Sequence, residues 1–242
     1  MPVTVLFQGD SITDAARDRD RPDDLGHGYA AFAAAGLADG RTALNRGTAG
    51  DRIVDLRARW DADTLAHRPA LVSVLIGVND TWRHYDSGLP SPADTWEKEY
   101  DDLLVRLRAH CAPRLVLIEP FLVPVTAEQW TWREDLDPRI HAVRRLAAQH
   151  GALLLAADGL LNQAARTAGD PALIAADGVH PTELGHRLLA DAWLQLVREA
   201  ADPGTAAFVR PADRAPEGAS EGASEGASGG APGGAAFRPR GR

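Results

Sequence analysis

Four short clusters of this chain carry residue types suited to acyl chemistry. In QGDSIT, Ser11 stands just past the apolar run 3–7 and two residues after a glycine. A serine leaving a buried strand exposes its Oγ on a turn and gathers backbone N–H groups around the same point. Taken singly, it reads equally as an N-cap at a strand–helix turn. The second cluster is Asp177-Gly-Val-His180, two titratable groups three residues apart on a loop before a helix. There the carboxylate can hold imidazole Nδ1–H while Nε2 removes a proton from Ser11. By itself a DxxH spacing also occurs in metal sites.

Donors for a developing oxyanion come from the other two clusters. Asn45-Arg-Gly47 follows a weak strand candidate, and its glycine can present an unobstructed N–H. Gly77-Val-Asn79-Asp80 follows the strongest apolar run, and the Asn79 amide is a neutral, directional donor. Each is an ordinary turn composition on its own. Together they put polar groups at strand ends and on a final loop, able to converge on one rim.

The elements that would position these groups follow from periodicity. Runs 3–7, 71–76, 114–118 and 152–156 are continuous in Val, Leu and Ile, as for strands buried on both faces of a parallel sheet, with 42–45 a weaker fifth. Helical patterns lie at 29–38, 51–60, 94–110 and 138–150, and a last helix starts from Thr182 as N-cap. Alternating strands and helices imply right-handed βαβ units. The fold class expected is α/β, a doubly wound, three-layer α/β/α sandwich on a five-stranded parallel sheet, with sites at the carboxyl ends of strands.

Composition narrows the partners. The 242 residues suit one α/β domain, expected over 1–200. From 201 to 242 the chain turns to Gly, Ala, Ser and Glu, with EGAS three times in succession over 217–228, and is expected to be a disordered tail. The formal charge is −8, and the excess of carboxylates lies before the tail, so no nucleic-acid partner is expected. Cys111 is the single cysteine, which excludes an intrachain disulfide and a cysteine metal cluster. No stretch reads as a signal peptide or a membrane span. A cytoplasmic protein with no membrane partner is expected, with self-association to a homo-oligomer left open.

In order and spacing, GDSIT, NRGTAGD, GVND and DGVHP resemble the blocks of the SGNH/GDSL hydrolase family, over residues 9–181. The resemblance implies a flavodoxin-like sandwich, Ser11 as nucleophile, and Asp177 and His180 as its partners. It also implies an oxyanion hole from Ser11 N–H, Gly47 N–H and the Asn79 side chain, with no metal or organic cofactor. The segments LGHGYAAF, DLRARWDADTL and GVNDTWRHYD are similar to the intracellular acetylxylan esterase branch, which implies deacetylation of xylo-oligosaccharides as the reaction. Relatives there tend to carry an aromatic residue just before the catalytic aspartate, where this chain has Ala176.

Candidate substrate contacts are Asp10, Trp82, Arg83 and Tyr85; the last three follow Asn79 on what reads as one loop. Trp82 and Tyr85 read equally as a sugar platform and as packing under that loop, and Asp10 and Asp80 as hydrogen-bonding braces. Arg57 and Arg59 read as surface or ion-pair residues, Asp51 as a helix N-cap, His27 as lining the cleft and His186 as facing solvent. The expected reaction is hydrolysis of a small acyl ester through an acyl-enzyme. A short-chain lipid esterase or thioesterase on the same residues is the alternative among enzymes, and a non-catalytic carbohydrate-binding module the alternative outside them.

Overall fold

The computed structural model describes residues 3–38, 40–200 and Phe208. Five parallel strands, β1 (Val3–Gly9), β2 (Arg41–Asn45), β3 (Leu71–Leu75), β4 (Arg114–Ile118) and β5 (Leu153–Leu155), form one sheet in the order β2-β1-β3-β4-β5. All five expected runs are therefore strands. After β1 the chain steps to β2 on one side, then crosses back to β3 on the other. That reversal opens a crevice at the carboxyl ends of β1 and β3.

Why the strands read as unbroken apolar runs is visible in the two layers that cover them. Val5, Phe7, Leu71, Leu75, Val116 and Ile118 face α2 (Tyr29–Ala35), α7 (Ala157–Ala168) and α8 (Glu183–Glu199). Their neighbours Leu6, Val72, Val74, Leu115 and Leu117 face α3 (Ile53–Asp63), α5 (Ala93–His110) and α6 (Arg133–His150). Each fully buried Val, Leu or Phe contributes about 1.5–3 kcal/mol. Ser73 is the polar exception within β3, and the Trp193 Nε1–H of α8 donates to its Oγ at 3.1 Å. The same indole lies 5.3 Å from the Phe7 ring, which locks α8 onto the middle of the sheet. Thr182 caps α8 as expected, its Oγ1 accepting from Gly185 N–H at 3.3 Å.

Three elements depart from expectation. The loop expected after Gly77 is a helix, α4 (Val78–Ser87). Its Gly-Val-Asn-Asp start reads as a turn, but Val78, Thr81, Trp82 and Tyr85 share one helical face against the core. The helix expected from Pro138 begins at Arg133, where the guanidinium anchors the extra turn by pairing with Asp137 and Asp158. Helix α7 was not expected; the residues it buries fully are only Ala157, Leu161 and Ala165. Among the described residues no helix is long and apolar enough to cross a membrane. Phe208 is buried, its carbonyl accepting from Ala38 N–H at 3.0 Å, and the Arg41 guanidinium lies 5.1 Å from its ring. The rest of the segment 201–242, expected as tail, lies outside the described residues.

Candidate active site

All the chemistry-bearing clusters emerge at one end of the sheet. The register sets Gly9 beside Leu75 and Phe7 beside Asn45, so β1, β2 and β3 deliver Ser11, Gly47 and Asn79 to the same edge. Ser11 opens the four-residue helix α1 (Ser11–Asp14). Its Oγ lies 2.9 Å from His180 Nε2, and His180 Nδ1 lies 2.7 Å from Asp177 Oδ2. With the carboxylate on Nδ1, that nitrogen carries the proton, and Nε2 is left to accept from Ser11. Asp177 Oδ1 accepts from the N–H groups of His180 and Val179, at 2.7 and 3.0 Å. Partial burial would raise this carboxyl, but those three hydrogen bonds outweigh it and hold Asp177 below the ordinary carboxylate value.

The turn carrying Asp177 is clamped by a residue that no motif points to. Gln129 Nε2 donates to the Asp177 carbonyl at 2.6 Å, while its Oε1 accepts from Val125 N–H at 2.8 Å. Gly178 has φ +87°, and a Cβ there would lie 2.5 Å from Gln129 Oε1, so only glycine fits against the clamp. No sequence signal marks Gln129, because its partners are backbone atoms 4 and 48 positions away.

Around Ser11, the glycine block is pressed onto α1. A Cβ on Gly47 would lie 2.3 Å from Asp14 N, which explains the glycine. Asn45 Nδ2 donates to the carbonyls of Thr13 and Leu25, at 2.6 and 2.8 Å, and its Oδ1 accepts from Gly47 N–H at 2.9 Å. One N–H of Asn79 goes to the Asp51 carbonyl at 3.0 Å, leaving its second for a ligand. Among the described residues, the Ser11 N–H meets no hydrogen-bond acceptor.

Arg59 ties these pieces together. Its guanidinium pairs with Asp51 at 2.5 Å and Asp63 at 3.2 Å, and donates to Gln8 Oε1, Gly9 O and Arg46 O at 2.8, 2.9 and 2.7 Å. It is thus an ion-pair residue, as expected, but one that braces both the serine and glycine blocks. Asp51 is its partner rather than the helix N-cap, a position Arg52 occupies.

The proposed substrate contacts fare unequally. Asp10 has no exposed surface; its Oδ1 caps α1 through Ile12 N–H at 3.0 Å, so it is a brace and not a contact. Burial pushes its carboxyl up to about 7. Asp80, buried and raised to about 6, accepts from Ile53 N–H and Ser91 Oγ–H. Trp82 stays beside the site, 5.9 Å from the His180 ring and 5.8 Å from Trp132. Tyr85 instead stacks on Trp132 and donates to the Thr131 carbonyl at 2.7 Å, and Arg83 pairs with Asp86.

A groove of about 1100 Å³ opens onto Ser11 and His180, and none of Trp82, Arg83 and Tyr85 lines it. His27 does, as does the run from Asp14 to Arg19 apart from Asp18. So does His186, which was expected in solvent: it is half-buried and turned inward, Nδ1 accepting from Tyr29 N–H at 3.1 Å. Among the described residues, no three His, Cys, Asp or Glu side chains group as a metal ion would require.

A parallel sheet with a serine–histidine–carboxylate chain at its switch point defines an α/β acyl hydrolase. The chain belongs to the GDSL-like lipase/acylhydrolase family, whose model matches residues 7–188, and is a carboxylic ester hydrolase. It is 34% identical to an acetylxylan esterase of Geobacillus stearothermophilus over 203 residues, 79% of this chain and 92% of that one. The solved structure of Axe2, an acetylxylan esterase from the same organism, superposes with a TM-score of 0.72 at 31% identity, covering 81% of this chain and 96% of Axe2. A putative GDSL-like lipase from Parabacteroides merdae gives a TM-score of 0.76 at 32% identity, over 81% of this chain and 95% of its own.

Proposed function

We propose that this protein is a cytoplasmic serine esterase that removes acetyl groups from carbohydrates such as acetylated xylo-oligosaccharides, through an acyl-enzyme on Ser11. The observation that carries the reading is the hydrogen-bonded chain Asp177–His180–Ser11 at 2.7 and 2.9 Å. Ser11 Oγ attacks the ester carbonyl while His180 Nε2 takes its proton, and Asp177 stabilises the imidazolium. The tetrahedral oxyanion draws on Ser11 N–H, the second N–H of Asn79, and Gly47 N–H. Gly47 N–H rests on Asn45 Oδ1, so it reaches the oxyanion by exchanging a neutral acceptor for a charged one, which is the stronger bond. His180 then protonates the leaving alcohol. Water, deprotonated by the same imidazole, attacks the acyl-serine and releases acetate.

Support for the sugar comes from the acetylxylan esterase relatives. Ser11→Ala tests the mechanism: hydrolysis of p-nitrophenyl acetate should fall to background, and a folded variant with full activity overturns it. A series of acyl chain lengths tests the substrate class. Preference for longer chains would move the protein to the lipid esterases or thioesterases.

A further inference from the structure

The groove beside Ser11 is larger than an acetyl group requires, so its occupant must be the other half of the ester. Its ionic side chains already have partners. Arg19 pairs with Asp14, Arg17 donates twice to the Gly47 carbonyl at 3.1 Å, and Glu183 pairs with Arg187 at 2.7 Å. That balance suits a neutral ligand rather than an anion or a cation. Ala31 and Phe32 add apolar wall to the same groove.

His186 is a side chain in that lining with a donor to spare and no charge. Because Nδ1 accepts from Tyr29 N–H, the ring proton sits on Nε2. Among the described residues, nothing accepts from Nε2, and it is not among the buried polar atoms left without a partner, so it reaches the surface. Burial, with His180 nearby, pushes the ring's pKa down to about 4, which keeps it neutral around pH 7.

We infer that this groove is the subsite for the alcohol half of the ester, a neutral polyhydroxylated sugar, and that His186 is its specificity-determining residue, donating Nε2–H to a sugar oxygen. The inference rests on the deacetylase reading above and names where its sugar binds. Ala31 and Phe32 would border the apolar side of the sugar while His186 addresses its hydroxyl edge.

The test compares kcat/KM for acetylated xylo-oligosaccharide with kcat/KM for p-nitrophenyl acetate, taken as a ratio. His186→Asn keeps an oxygen where Nδ1 lies, preserving the partner of Tyr29 N–H, but removes the donor at Nε2. The ratio should fall about tenfold, mostly through KM, as loss of one hydrogen bond at a binding site predicts. His186→Gln returns an amide N–H near the Nε2 position and should recover most of the ratio. A purely structural role would lower both substrates together and leave the ratio unmoved, which overturns the inference. Wild-type protein that cleaves p-nitrophenyl acetate yet releases no acetate from any acetylated sugar overturns the deacetylase reading, and the subsite with it. Sugar deacetylation with an unmoved ratio overturns the inference and leaves the deacetylase reading standing.

Discussion

Replacing Arg59 by alanine is the sharpest test of how the site is held. Five hydrogen bonds end on this guanidinium, and two of the side chains they reach, Gln8 and Asp51, are 0% and 8% exposed. The side chain of Arg59 is itself only 16% exposed, so solvent screens these contacts little. Removing one member of such a buried pair costs about 3–5 kcal/mol, because the remaining charge has no partner. For a domain of this size each kcal/mol moves the midpoint by about 2–4 °C, so a loss of about 6–20 °C is expected. Asp51 supplies an internal check. Burial already raises its carboxyl and Arg59 pulls it down; without Arg59 it rises further. A group raised in the folded state favours folding at low pH and loses that advantage as pH climbs, so the deficit of Arg59→Ala should shrink in acid and widen towards neutrality. Activity should fall as well, since Gly9 and Arg46 flank Ser11 and Gly47. Thermal melts at several pH values, followed by tryptophan fluorescence and paired with p-nitrophenyl acetate kinetics, measure all of this. A midpoint within about 2 °C of wild type, with unchanged kcat, would refute the brace.

Two further outcomes follow from the same geometry. Asn79→Ala should lower kcat for p-nitrophenyl acetate by about 10²–10³ with a much smaller change in KM, as for loss of one oxyanion donor; an unchanged kcat removes Asn79 from the reaction. Asp10 holds its proton up to about 7 in the folded protein against 3.8 for the free side chain. The contribution of Asp10 to stability should therefore decline between about pH 4 and 7, by at most about 4 kcal/mol. Urea unfolding of Asp10→Asn should show that decline flattened, and an identical slope in the two proteins would sink the idea.

What the sequence reveals here depends on how local the determinant is. Ser11, Asp177 and His180 sit in short blocks that together mark them as candidates, and the strand runs need only count apolar residues. Helix α4 was hidden because Gly-Val-Asn-Asp is turn-like in composition, and its helical face shows only once Trp82 and Tyr85 are seen against Trp132. His186 looked outward because its partner is the amide of Tyr29, 157 positions away, which no pattern of side chains encodes. Gln129 escaped for the same reason. Arg59 was legible as a charge in need of a partner, whereas its bonds to three carbonyl oxygens exist only in the folded chain.

The 169 positions between Ser11 and His180 also set an order in time. At about 5–20 residues per second, a ribosome finishes the serine roughly 8–34 s before it reaches the histidine. β1 becomes an interior strand only when β3 arrives, and Phe7 waits for Trp193 to cover it. On the mechanism proposed above, the nascent chain is therefore chemically silent at least until His180 has been made. On that mechanism ester cleavage switches on only when the two ends of the domain meet, so recovered activity would report completed tertiary closure and should lag the return of helix and strand signals in refolding.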